Sequence, residues 1–385
     1  LVALVVVWVA VAAIVYPVEY VRRVLLWRES DVNDYLANFD HKPLEASPRP
    51  FTFATGLDPA VGEYLALQLG TVSLDDHMAA NGTQGLIVIH DDRIVLEGYY
   101  NGWERDSLVT SFSVAKSFVS TLVGMAVEEG AIGSIDDPIT EYLPELEGRD
   151  QRFEQITIRH LLTMSSGLEY KEMRWALFNG DDPLTTYHPD QRQLCLTHPE
   201  IVEAPDQRFV YNKCHPQLLG MILERTTRQS VTELTQTRLW NPLGMEYDGS
   251  WSIDSAESGF EKLEAGLNAR VVDYAKLGRL FLRRGNWNGK QLLSESWVDL
   301  ATGVDPEGRA PAWTEGRHYG FMWWGWERED GSIDYAAWGD HGQFVFVSPA
   351  NDVIIVRNGE RYGHDGDTWI AAFRATADHL GGTDP

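Results

Sequence analysis

Ser113-Val114-Ala115-Lys116 places a hydroxyl and an amine three residues apart at the start of an apolar run. Residues at that spacing share one helical face, so the Lys116 amine reaches the Ser113 hydroxyl across a single turn. A serine at a helix N-terminus also directs its backbone N–H, and the positive end of the macrodipole, toward an oxyanion formed beside it. Burial lowers a lysine pKa and makes the amine a base able to activate serine. The plain alternative is a serine N-cap followed by a solvated lysine. The run SVAKSFVSTLVGMAVEE from Ser113 to Glu129 argues against it, because its apolar residues lie nearly all round the helix and demand burial. The G-x-S-x-G elbow, the Walker loop, the dinucleotide fingerprint and the H-E-x-x-H zinc pair are all missing from the sequence.

The elements that must position this pair can be read outward from it. GLIVIH (85–90) and RIVLEGYY (93–100) are β-rich runs separated by Asp91-Asp92, which predicts a hairpin. The helix that follows closes at Gly130. From about 135 to 260 the chain changes to helical patches and turns. Strands return at 318–326, 333–339, 343–348 and 352–358, before a last helix over 367–380. Strands at both ends with helices between them predict an α/β (α+β) body: one sheet built from distant parts of the chain, flanked by helices and carrying an inserted helical lobe.

Composition bounds the partners. With 57 Asp plus Glu against 32 Lys plus Arg, the net charge is -25, which repels phosphate backbones and argues against nucleic acid. A chain of 385 residues, 44% hydrophobic and 11% aromatic, can bury a large core, and two cysteines cannot frame a disulfide scaffold of that size.

The first sixteen residues, LVALVVVWVAVAAIVY, carry no charge. As a helix they would span about 24 Å, somewhat short of a ~30 Å hydrocarbon core. A membrane anchor over 1–28 is the first reading, ahead of the h-region of a cleaved signal and of a buried core element. The expected arrangement is a membrane-anchored protein with its body in the periplasm or outside the cell. Arg22, Arg23 and Arg28 favour the opposite side under the positive-inside rule, so the orientation stays open. Residues 29–84 read as a linker or extended arm, and 85–385 as the folded body.

Several segments together, in order, resemble a known family. They are SFSVAKSF, AIGSIDDPITEYLPEL, ITIRHLLTMSSGL, FVYNKCHPQLLGMILE, GLNARVVDYAKLGRLFLRRGNWNGKQLLSESWV and WGDHGQFVFVSP. The chain from about Gly85 to its end looks like the serine β-lactamase-related family, which includes class C β-lactamases, DD-peptidases and esterases or amidases of the same β-lactamase/transpeptidase-like fold, and the resemblance implies an antiparallel sheet flanked by helices. The resemblance implies that Ser113 is the acylated nucleophile, Lys116 its activating partner and Tyr211 the proton shuttle of a Tyr-x-Asn motif. It implies that Asp340-His341-Gly342 stands where the family has Lys-Thr-Gly or His-x-Gly, with Gly342 letting the strand approach substrate. The N–H of Gln343 would then pair with that of Ser113 as the oxyanion hole. It implies no cofactor and no metal.

Two departures shape the expected substrate. Lys213 replaces the motif asparagine, and Asp340 stands where β-lactamases carry a lysine that holds a carboxylate. An acid there repels carboxylate-bearing β-lactams. The expected activity is hydrolysis of an ester or amide bond in a neutral or cationic small molecule, with His341 as a proton carrier or substrate contact. The rival reading is a catalytically weak accessory or scaffold subunit of a membrane complex. Outside the site, His160 reads as structural and Trp323, Trp324, Trp326 and Trp338 chiefly as strand packing. His364-Asp365-Gly366-Asp367 looks like a metal loop but lacks a ligand set. Cys195 and Cys214 read equally well as a disulfide and as two buried thiols.

Overall fold

Asp91 and Asp92 take φ of +49° and +56°, the two positive values a two-residue turn needs, and fold Thr83–His90 back onto Arg93–Tyr99. This hairpin belongs to an eight-stranded sheet in the computed structural model, which describes residues 11–27, 34–172, 178, 180–303 and 316–382. Beyond the hairpin, Val353–Gly359, Gln343–Ser348, Ile333–Gly339, Trp324–Glu327 and Arg317–Tyr319 follow in antiparallel register. First and last thirds of the chain therefore share one sheet, as the distribution of strand signals predicts. The sheet is mixed rather than wholly antiparallel as expected, because the short edge strand Ala54–Thr55 adds to Arg93–Tyr99 in parallel.

Strand alternation explains why both faces are apolar. Phe344 and Phe346 point to one side and meet Phe373 of the final helix, Gly366–Gly381. Val345 and Val347 point to the other, against Gly278 of Val271–Leu282, where a side chain would collide at about 3 Å. The helix Ala115–Glu128 is buried at every position from Ala115 to Ala126, and Gly130 ends it at φ +73°. Complete burial of this stretch is what its all-round apolar pattern requires.

Residues 34–84, within the stretch read from sequence as a linker or extended arm, carry regular elements. Of these, His41–Leu44 pairs with Gly249–Ser252 as the edge of a four-stranded sheet, an edge position that tolerates Pro43. Pro59–Gln68 is capped by Asp58 and packs on the final helix. Proline and polar residues that suggested a loose arm are here an edge strand and a helix start. The small sheet matters to the site, since its strand Val109–Thr110 leads directly into Phe112 and Ser113.

Residues 1–10 and 28 of the proposed anchor lie outside the described residues. Among the described residues no helix is long and apolar enough to cross a membrane. Val18–Leu26, assigned from sequence to the anchor, instead packs on the body through Tyr20, Val21, Arg23 and Val24. The Tyr20 hydroxyl donates to the Phe178 carbonyl, and Arg23 to the carbonyls of Asp254 and Tyr187. Its outer face carries Val18, Leu25 and Leu26, and Ile14 is 84% exposed.

Cys195 and Cys214 are joined, with Cα atoms 5.3 Å apart. Cys214 begins the helix Cys214–Thr227 and follows Tyr211 by three residues, so the bond fixes the start of that helix to Gln191–Thr197. Closing a loop of this size stabilises a fold by about 3 kcal/mol. Cys195→Ser/Cys214→Ser is expected to lower the stability measured by urea unfolding by a corresponding amount, with the denaturant slope rising as the unfolded chain expands.

Candidate functional site

Phe112 holds φ +44°, a left-handed backbone that a phenylalanine adopts only at a cost of about 1–3 kcal/mol. Its ring is buried and packs 4.8 Å from that of His341. The bend turns the incoming strand sharply into the helix and leaves Ser113 half-buried at the wall of a cavity of about 260 Å³. Lys116, one turn on, is 1% exposed. Its Nζ lies 2.8 Å from Ser113 Oγ and 2.7 Å from the Glu264 carbonyl oxygen, and 4.9 Å from the centre of the Tyr211 ring.

The charge state of this amine follows from its surroundings. Burial disfavours the ammonium most, Lys213 adds like-charge repulsion, and Glu264, Asp182 and Asp340 oppose them; the balance draws Lys116 down to about 7. Tyr211 moves the other way. Burial holds its phenol above the ordinary tyrosine value, partly opposed by a hydrogen bond with Ser113, so it is protonated at neutral pH. The site thus offers a hydroxyl, an amine able to accept its proton and a phenol able to donate one.

The fourth part is the strand Ile333–Gly339. A Cβ on Gly339 would sit 2.9 Å from the Ser113 nitrogen and 2.6 Å from the Ser111 oxygen, so this backbone runs directly against the serine amide. Only glycine allows that approach. The next N–H along the strand is that of Asp340, which lines the cavity.

The remaining sequence-predicted residues fall elsewhere. A tight turn over Asp340–Gly342 closes the Gln343 N–H onto the Asp340 carbonyl, and the Gln343 side chain bonds to the Gly359 carbonyl and to Asn358. The Gln343 N–H, expected from sequence as an oxyanion donor, is thus already engaged within this turn. Gly342 does provide a close approach, but to the Arg357 guanidinium, which its Cβ would meet at 2.2 Å. His341 turns its ring onto Phe112, with Nδ1 2.9 Å from the Glu360 carbonyl, and does not line the cavity. Asp340 accepts from the His341 N–H with its own Oδ1.

Lys213 lines the cavity and forms a buried ion pair with Asp182 at 3.0 Å, and Asp182 also accepts from the Tyr170 hydroxyl at 2.8 Å. Glu264 is fully buried between Lys262 and Gln217. Trp324 and Trp338 form an aromatic wall with Arg317 over them at 5.1 and 5.3 Å, whereas Trp323 is core. Tyr170, Asp182, Glu264, Arg317, Gly339 and Tyr362 were not singled out by sequence. No local pattern marks them, since each comes from a different segment. His160 caps a helix with Thr157, and Asp365 caps the final helix through the Thr368 N–H, both structural tasks.

The architecture and this arrangement agree with what comparison finds. A family model described as Beta-lactamase matches residues 73–373. The chain belongs to the beta-lactamase family of serine hydrolases. It is 28% identical over 325 residues to the 6-aminohexanoate-dimer hydrolase of Paenarthrobacter ureafaciens, covering 79% of each chain. It is 31% identical over 160 residues to esterase EstB of Burkholderia gladioli, covering 39% of this chain and 40% of the esterase. In three dimensions it matches a Bacillus anthracis protein assigned to the 6-aminohexanoate-dimer hydrolases, with TM-score 0.78 at 21% identity over 91% of this chain and 93% of that one. Amide and ester hydrolases thus stand among the relatives of this family member.

Proposed function

We propose that the protein cleaves an ester or amide bond of a neutral or cationic small molecule through an acyl-enzyme on Ser113. The observation that carries this reading is the buried Lys116 amine 2.8 Å from Ser113 Oγ. The neutral amine takes the hydroxyl proton as Oγ attacks the carbonyl. The developing oxyanion is met by the N–H groups of Ser113 and Asp340. Tyr211 gives its proton to the leaving amine or alcohol and recovers one from Lys116, after which water repeats the sequence on the acyl group.

The cavity wall supports the substrate class. Its carboxylates are Glu172, Asp182, Glu264 and Asp340 against the cations Lys213 and Arg317, with Asp182 paired to Lys213 and Glu264 to Lys262 behind the wall. More acid than base faces a substrate, which disfavours an anionic acyl group. The aromatic side chains of Tyr170, Trp324, Trp338 and Tyr362 suit an aliphatic or aromatic body. The apolar 1–16 segment, with Ile14 and Val15 exposed at its end and Val18 exposed beyond it, supports a membrane attachment; the chain lacking 1–17 should then leave the membrane fraction.

Two measurements test the reading. Folded protein should be labelled by a fluorophosphonate, and aryl esters and short amides should be turned over faster than a chromogenic β-lactam. Absence of labelling would return the chain to the accessory-subunit reading, and faster β-lactam turnover would refute the substrate class. Lys213→Asn adds a pH test. It removes a like charge from Lys116 and leaves the Asp182 carboxylate unneutralised, and both raise the Lys116 pKa, so the acid limb of kcat/KM should move to higher pH.

A further inference from the structure

Arg357 has no solvent exposure, yet no carboxylate appears among its hydrogen-bond partners. Burying a guanidinium without a counter-charge is costly, and burial draws this one down to about 9. Its five donors go instead to carbonyls and one hydroxyl. Nη1 donates to the Gly342 carbonyl at 2.7 Å and reaches that of His341 at 3.5 Å. Nη2 donates to the carbonyls of Arg361 at 3.0 Å and Asn81 at 3.4 Å, and Nε to Thr83 Oγ1 at 3.1 Å. The plane lies 4.4 Å from the Trp369 ring. The surrounding chain is shaped to admit it: a Cβ on Gly342 or Gly359 would strike the guanidinium at 2.2 and 2.6 Å.

Two of the tied carbonyls belong to the turn Asp340–Gly342, which begins at the N–H assigned to the oxyanion. That turn contains two successive residues at positive φ, His341 at +58° and Gly342 at +79°, a conformation that relaxes unless something holds it. The His341 ring continues the connection to Phe112, the strained residue preceding Ser113. The same guanidinium fixes the Arg361 carbonyl, next to Tyr362 of the cavity wall.

We propose that Arg357 is a positioning residue for the hydrolytic reaction, setting the Asp340–Gly342 turn so that the Asp340 N–H faces the oxyanion formed at Ser113. This rests on the acyl-enzyme reading above. Arginine serves here because its planar fork holds several carbonyls in fixed directions, which a lysine cannot do.

The test compares wild type, Arg357→Ala and Arg357→Lys on the best ester substrate, with fluorophosphonate labelling rates and thermal midpoints measured in parallel. Lysine keeps the charge and the aliphatic stem, so Arg357→Lys guards against a failure of the alanine variant to fold. A displacement of about 1 Å at a reacting centre costs on the order of a hundredfold. In Arg357→Ala, kcat should fall about that much with KM changed less than about threefold, the labelling rate should fall in proportion, and millimolar methylguanidinium should restore at least about tenfold. In Arg357→Lys, kcat should fall at least about tenfold while the fold is kept. Folded Arg357→Lys with wild-type kcat, or a loss appearing in KM alone, would overturn the proposal. If the wild type itself is not labelled, the acyl-enzyme reading fails, and the positioning role fails with it.

Discussion

Ser113→Ala should lower kcat/KM by roughly 10⁴- to 10⁶-fold and abolish fluorophosphonate labelling, while leaving the thermal midpoint close to that of the wild type. The oxygen lost is the atom that bonds to the acyl carbon, so no acyl-enzyme can form. The Ser113 and Asp340 N–H groups remain, and residual turnover over water should come from them and from binding alone. Ser113 is half-buried and its Oγ meets Lys116 rather than a helix cap, so the substitution removes no buried bond on which the fold depends. The decisive comparison is labelling and stopped-assay rates on the same preparation. Labelling that persists in Ser113→Ala would place the nucleophile elsewhere.

The second large effect concerns Lys116. Lys116→Met keeps the length of the side chain and loses the base, and kcat/KM should fall by about 10³-fold or more. In the wild type the rate should rise with pH through about 7, because only the neutral amine accepts the serine proton. That acid limb should vanish from whatever activity the methionine variant retains. Stability should change in the opposite sense. An amine whose folded pKa lies below its unfolded value of about 10.5 destabilises the native state increasingly as pH falls toward 7, and fully below it. Methionine has no such cost, so Lys116→Met should gain in urea midpoint relative to wild type between pH 9 and pH 6. A variant both inactive and less stable at pH 6 would contradict the burial argument.

How much of this was legible beforehand depends on whether the signal was local. The hairpin at Asp91-Asp92 and the buried helix through Lys116 declare themselves through turn chemistry and periodicity, and both are present. The strand expected over 318–326 breaks into two, because Met322 takes φ +62° between them and reverses the chain. The Ser113–Lys116 pair was legible for the same local reason, as was the neighbourhood of Tyr211 through its motif. The tight turn at Asp340–Gly342, which engages the Gln343 N–H, was not legible, since it is tied to Arg357 on a different strand. Asp182, Glu264 and Arg317 were invisible because only the assembled fold brings them to one wall. The elements within 34–84 were not legible because an edge strand containing Pro43 has the composition of a linker.

The sheet has a consequence for how activity is acquired. Ser113 is synthesised 226 residues before Gly339, whose backbone lies against its amide. Thr83–His90 must also wait for Val353–Gly359 to complete its pairing. Such non-local closure makes folding slow and late. A nascent or truncated polypeptide that stops short of Gly339 carries the serine and its lysine but not the strand that lies against the serine amide, so under the proposed acyl-enzyme mechanism its reactivity is withheld. Chain order itself keeps an unfinished hydrolase inert.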